Sequence, residues 1–139
     1  AVFGKLNIKT GELIFINAGH ESILLFDENK NYEYIKSDMP PIGIIKYFTE
    51  TMVKSNTINL KDKTFVVYTD GVTEGYLKNG AELGAEGVQD IINKMTDITP
   101  KTIVEGIENQ LNWGAEKLRD DITCMAINIK NTELLKKNK

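Results

Sequence analysis

Few groups in this chain can do chemistry, and most of them are carboxylates. Asp70 ends the apolar, β-branched run Phe65-Val66-Val67-Tyr68-Thr69 and is followed by Gly71. An acid just past a buried strand is held rigidly, and a glycine after it lets the backbone turn away. Oxygen ligands of this kind suit hard cations such as Mg²⁺ and Mn²⁺. The Asp-Gly pair is also a common hairpin turn. No alternating strand follows at hairpin distance, however, and residues 72–80 contain Gly75 and Gly80 without a period of two.

A second acidic feature is Arg119-Asp120-Asp121-Ile122-Thr123. Neighbouring residues of a regular strand point to opposite faces, so both acids cannot serve one ion from a strand. From the loop before the strand, one of them can. The alternative is a solvated charged turn in which Arg119 neutralises an acid. A third feature is Asn17-Ala18-Gly19-His20, a small-residue turn carrying the only histidine. A lone histidine is commonly a surface or satisfied core residue.

Other chemistries lack their parts. One histidine and one cysteine cannot build a His/Cys zinc cluster. Ser22 or Ser55 could be imagined in a Ser-His-Asp triad, but no nucleophile-elbow sequence surrounds either. A phosphatase of the haloacid-dehalogenase type needs two acids separated by one residue, and the position two before Asp70 is Tyr68.

The elements that must hold these residues can be read from periodicity. Residues 1–7 and 12–17 read as strands around the turn Lys9-Thr10-Gly11. Residues 23–26 and 32–36 flank the turn composition Glu28-Asn29-Lys30-Asn31. The two prolines of Ser37-Asp38-Met39-Pro40-Pro41-Ile42-Gly43 exclude a strand there. Residues 49–57, rich in β-branched side chains, and the apolar residues 64–69 read as strands. Val88, Ile91, Ile92 and Met95 then fall on one helical face. A second helix is expected at Thr99-Pro100, a cap followed by proline at the first helical position, with Ile103, Val104, Ile107 and Leu111 as its stripe. Residues 122–129 alternate as a last strand. The order predicts an α+β fold with helices on an antiparallel sheet.

Bulk properties set limits. The 139 residues fit one domain, with 41% hydrophobic and 27% charged residues. A net charge of −3 and a pI of about 5.2 argue against a nucleic-acid binder. No apolar run approaches the ~20 residues of a membrane span. Cys124 lies in an apolar run and reads as a buried reduced thiol, consistent with a cytoplasmic setting. The chain opens on Ala1-Val2-Phe3-Gly4 and reads as cut from a longer protein, with a basic tail over residues 131–139.

Taken in order, the motifs resemble one family. They are Ala1-Val2-Phe3-Gly4-Lys5-Leu6-Asn7 with Thr10-Gly11, Asn17-Ala18-Gly19-His20, Pro41-Ile42-Gly43, Tyr68-Thr69-Asp70-Gly71-Val72-Thr73-Glu74 and Arg119-Asp120-Asp121-Ile122-Thr123. The sequence is similar to the metal-dependent serine/threonine protein phosphatases (PPM), in the bacterial branch of SpoIIE and RsbU. The resemblance covers residues 1–130, read as the C-terminal part of the catalytic domain. It implies part of a PPM-like antiparallel β-sandwich with flanking helices and a site for two Mn²⁺ or Mg²⁺ ions. Asp70 and Asp120 match metal-ligating aspartates. Gly71 lies within the Asp70 motif. Asp121 stands where relatives often carry Asn. His20 stands where many relatives outside this branch have an Asp linked to a third metal. Glu74 matches a branch residue of underived role.

The resemblance implies hydrolysis of phosphoserine or phosphothreonine on a partner protein, typically an anti-sigma-factor antagonist. The attacking group would be a metal-activated water, with no protein nucleophile. The departure from the family is a Gly-Asp-x-x-Asp segment expected to bridge the two metals, since Gly-Asp occurs nowhere in the chain. The chain alone is therefore expected to be weak or inactive, and a non-catalytic pseudophosphatase or docking module is the alternative. An exposed strand edge near residues 1–7 is expected to favour a homodimer.

Overall fold

A computed structural model describes residues 1–112 and 120–129. Arg119 and the basic tail lie outside the described residues.

The first hairpin joins β1 (Val2–Leu6) to β2 (Glu12–Asn17). The Asn7 side chain accepts the Lys9 and Thr10 amides at 3.0 and 3.2 Å and so builds the turn. Gly11 takes φ +79° to close it. A second hairpin joins β3 (Ile23–Asp27) to β4 (Tyr32–Ile35), with the Asp27 carboxylate accepting the Asn29 and Asn31 amides. Then come β5 (Asn56–Asn59) and β6 (Lys63–Tyr68), the short helix α1 (Asp70–Thr73), α2 (Gly84–Lys94), α3 (Pro100–Gln110) and β7 (Cys124–Ile127).

The strands form two antiparallel sheets. One has the order β1-β2-β5 and the other β4-β3-β6-β7. They stack face to face, with Leu13 and Phe15 of β2 packed on Ile23 and Leu25 of β3, Phe65 of β6 and Leu60. Phe15 and Phe65 meet edge-on at 5.1 Å. The other face of the four-stranded sheet presents Leu24, Phe26, Val66 and Tyr68 to the helices. Val88 and Ile92 of α2, and Ile103 and Ile107 of α3, close that layer. Strand β3 is thus buried on both faces, which explains its unbroken run Ile23-Leu24-Leu25-Phe26. This is the α+β architecture expected, a sandwich with flanking helices.

Two local expectations differ. Residues 49–57 do not form one strand: a 3₁₀ turn occupies Glu50–Met52 and strand starts only at Asn56. Their β-branched side chains have nothing to pack against, because all of residues 41–55 are exposed. The last strand begins at Cys124, not at residue 122, because residues 120–123 are drawn into a loop against the end of β6. Asp70 opens helix α1, so the Asp-Gly pair does not turn a hairpin, in line with the missing alternating strand after it. The helix at Thr99-Pro100 forms with a reciprocal capping box between Thr99 and Thr102.

Candidate metal centre

The four-stranded sheet decides where the acids go. Strands β6 and β7 pair with Phe65↔Ile127 through Tyr68↔Cys124. Asp70 follows the end of β6, and Asp120 and Asp121 precede the start of β7, so antiparallel pairing brings them to the same end. One further rung extends the ladder, the Thr69 amide donating to the Thr123 carbonyl at 3.0 Å. Beyond it the Thr69 hydroxyl donates to the Asp121 carbonyl at 2.9 Å and accepts the Thr123 amide at 3.0 Å.

Asp70 is exposed and opens the single turn of α1. Its Oδ1 accepts the Gly71 amide at 3.0 Å, while its carbonyl receives the Glu74 amide and the Thr73 hydroxyl. Asp120 is also exposed, and its Oδ1 accepts the Asp121 amide at 2.7 Å. Gly71 is buried against the loop, and a Cβ there would lie 2.5 Å from the Asp121 carbonyl oxygen.

His20 is placed by a separate network at the start of β3, the end of that strand that lies beside the end of β6. Buried Asn17 accepts the His20 amide at 3.0 Å and donates to the Glu21 carbonyl at 3.1 Å. The Ser37 hydroxyl accepts the Gly19 amide at 2.8 Å and lies 2.9 and 2.8 Å from the Asn17 and Met39 carbonyls. Gly19 has φ +64°, and Pro41 packs directly over it. Pro41 thus packs on the Asn17-Ala18-Gly19-His20 turn, while Ile42 and Gly43 are exposed.

The fold brings Asp70, Gly71, Asp120 and Asp121 together by their backbones. Glu74 is exposed at the far end of α1. Among the described residues, no three His, Cys, Asp or Glu side chains converge as a metal-binding group. The clefts near Asp27 and Lys63, and between α2 and α3, are not lined by these acids. Thr69 was not among the residues singled out from sequence. The hydroxyl next to Asp70 was a visible signal, but its partner is 52 residues away.

Behind the site, burial pushes the Tyr68 phenol up to about 12, with Tyr34, Glu21 and Cys124 adding to the shift. Burial likewise pushes the half-buried Cys124 thiol up to about 11. Neither group ionises near neutral pH, so neither is a ready nucleophile.

Comparison with known families decides the kinship. The family described as Stage II sporulation protein E (SpoIIE) matches residues 1–130. The chain belongs to the SpoIIE family. Among curated relatives, it is 26% identical over 132 residues to protein IcfG of Synechocystis sp., covering 90% of this chain and 20% of that protein. Solved structures share the fold. The RsbU and RsbW domains of Rv1364c from Mycobacterium tuberculosis align with a TM-score of 0.67 at 20% identity, over 93% of this chain and 36% of that one. The manganese-presoaked phosphatase domain of SpoIIE from Bacillus subtilis aligns with a TM-score of 0.65 at 17% identity, over 94% and 56%. The fold is the one these solved domains share, and this SpoIIE-family chain spans only part of the length of each relative.

Proposed function

We propose that the SpoIIE-family chain contributes one wall of a divalent-cation site in a phosphatase that hydrolyses phosphoserine or phosphothreonine on a partner protein. The observation that carries the reading is the convergence of Asp70 and Asp120 at one sheet end, fixed by the β6–β7 register. The donor set fits the cation in kind. Both groups are exposed carboxylates, the hard oxygen ligands that Mn²⁺ and Mg²⁺ take. It is short in number, since Mg²⁺ asks for six oxygens and keeps several waters. The manganese presoak of the SpoIIE phosphatase domain supports the choice of ion.

Asp70 and Asp120 would hold the cation, with Gly71 and Asp121 shaping the floor between them. A bound pair of such ions supplies a water activated at neutral pH and a clamp on the phosphate oxygens. The chain itself offers two exposed acids at one end of the β6–β7 pair. The partner is read as an anti-sigma-factor antagonist, in a cytoplasmic setting. His20 and Glu74 are assigned no ligand role.

The test is hydrolysis of a chromogenic phosphate ester with Mn²⁺. Turnover near background is expected for this chain, with Asp70→Asn removing what remains. Metal-independent turnover contradicts the reading. Robust turnover lost in Asp70→Asn would show instead that the site is complete. A non-catalytic docking module is the second reading, favoured by the lack of a three-ligand group among the described residues. It predicts Mn²⁺-independent binding to the phosphoprotein.

A further inference from the structure

We infer that Thr69 is the positioning residue of this cation site, its hydroxyl setting the separation of the two acid-bearing segments. The inference rests on the assignment of Asp70 and Asp120 as cation ligands.

Residues 120–123 are not a regular strand, so the backbone ladder cannot fix them to β6 beyond the Thr69–Thr123 rung. The Thr69 side chain replaces the missing rungs. Its Oγ1 donates to the Asp121 carbonyl at 2.9 Å and accepts the Thr123 amide at 3.0 Å. The contact to the Thr123 carbonyl, at 3.5 Å, is too long to compete for the proton. One hydroxyl thus binds a donor and an acceptor two residues apart on the loop. Asp70 is the next residue on one side of this clamp, and Asp120 precedes the clamped carbonyl on the other.

The clamp differs from an ordinary cross-strand threonine in what it controls. Thr69 is half-buried and Thr123 is exposed, so losing the hydroxyl leaves no deeply buried group unpaired. Removing it should leave the fold intact and let the acids drift apart. Groups that orient ligands from behind typically change metal affinity by about 10–100-fold. Serine keeps the hydroxyl. Valine keeps the branched shape without it.

The experiment is a calorimetric Mn²⁺ titration of this chain, alongside Thr69→Val, Thr69→Ser and Asp70→Asn, with a thermal melt of each. Thr69→Val should lose about tenfold in affinity, Thr69→Ser should bind as the native chain does, and the melts of both should match it. Native affinity in Thr69→Val, with binding lost in Asp70→Asn, overturns the role of Thr69 and leaves the cation site standing. Equal losses in Thr69→Val and Thr69→Ser, together with lowered melting temperatures, also overturn it, since that is plain structural damage. Undiminished binding in Asp70→Asn, or none in the native chain, overturns the cation reading and the inference with it. Amide hydrogen exchange checks the clamp without metal. The Thr123 amide should exchange at least about tenfold faster in Thr69→Val and not in Thr69→Ser, and unchanged exchange in Thr69→Val overturns the clamp.

Discussion

Gly71 and Asp121 meet backbone to backbone: a Cβ on Gly71 would stand 2.5 Å from the Asp121 carbonyl oxygen. That contact gives an unusual sign to a simple substitution. Alanine in a helix is ordinarily favoured over glycine by about 1 kcal/mol, so Gly71→Ala in α1 would be neutral or stabilising without it. With it, the loop must move, and overpacking of this kind costs about 1–3 kcal/mol. We expect Gly71→Ala to lower the urea midpoint and to weaken Mn²⁺ binding together. A raised midpoint would show that the contact does not form.

Pro41 and Gly19 offer a second test, of the unit that holds His20. Gly19 sits at φ +64° with Pro41 over it, so Gly19→Ala meets both left-handed backbone strain and a clash. The backbone part alone costs roughly 1–2 kcal/mol. Adding Pro41→Gly should recover the clash and not the strain. A double-mutant cycle from denaturant melts measures this coupling, and strictly additive effects would contradict the packing described.

Alkaline pH should destabilise the fold through its raised groups. Cys124 is raised from 9.0 to about 11 and Tyr68 from 10.0 to about 12, so the folded state holds these protons more tightly than the unfolded state. Their contribution is therefore complete below pH 9 and is lost as pH rises through about 11 and then about 12. The denaturation midpoint should hold steady up to pH 9 and fall above it. Cys124→Ala should flatten the first part of the fall, even if it lowers the midpoint throughout. An identical slope in the variant would refute the assignment.

Among the described residues, strand β1 is the edge of its sheet, and its outer face carries Phe3, 55% exposed, diagonal to Ile14, 42% exposed, on β2. An unpaired edge with apolar neighbours invites a further strand. We propose self-association of this chain through β1, reduced by Phe3→Lys. Sedimentation at rising concentration reads it. A native chain that stays monomeric at the highest concentrations would rule it out.

Most of the architecture could be read because local and tertiary signals agree. The Thr99-Pro100 cap and the stripe of Ile103 and Ile107 specify a helix that the sheet then buries. Residues 49–57 show the opposite case, in which β-branched propensity has no partner to pack against and yields a turn. The positions of Asp70 and Asp120 could be argued from motif order. The parts that hold them could not, because the Thr69–Asp121 bond and the Gly71 contact join segments about fifty residues apart in sequence. Only the β6–β7 register brings them into reach.

The central claim is that Asp70 and Asp120 serve one cation, and paramagnetic broadening by Mn²⁺ tests it most directly. In an amide spectrum of this chain, the signals of Gly71 and Asp121 should broaden together at substoichiometric Mn²⁺. Those of the turn at residues 27–31, at the opposite end of the four-stranded sheet, should stay sharpest. Both Asp70→Asn and Asp120→Asn should abolish the effect. Broadening that survives in either variant, or that begins at another acidic patch, would contradict a shared site at the end of β6.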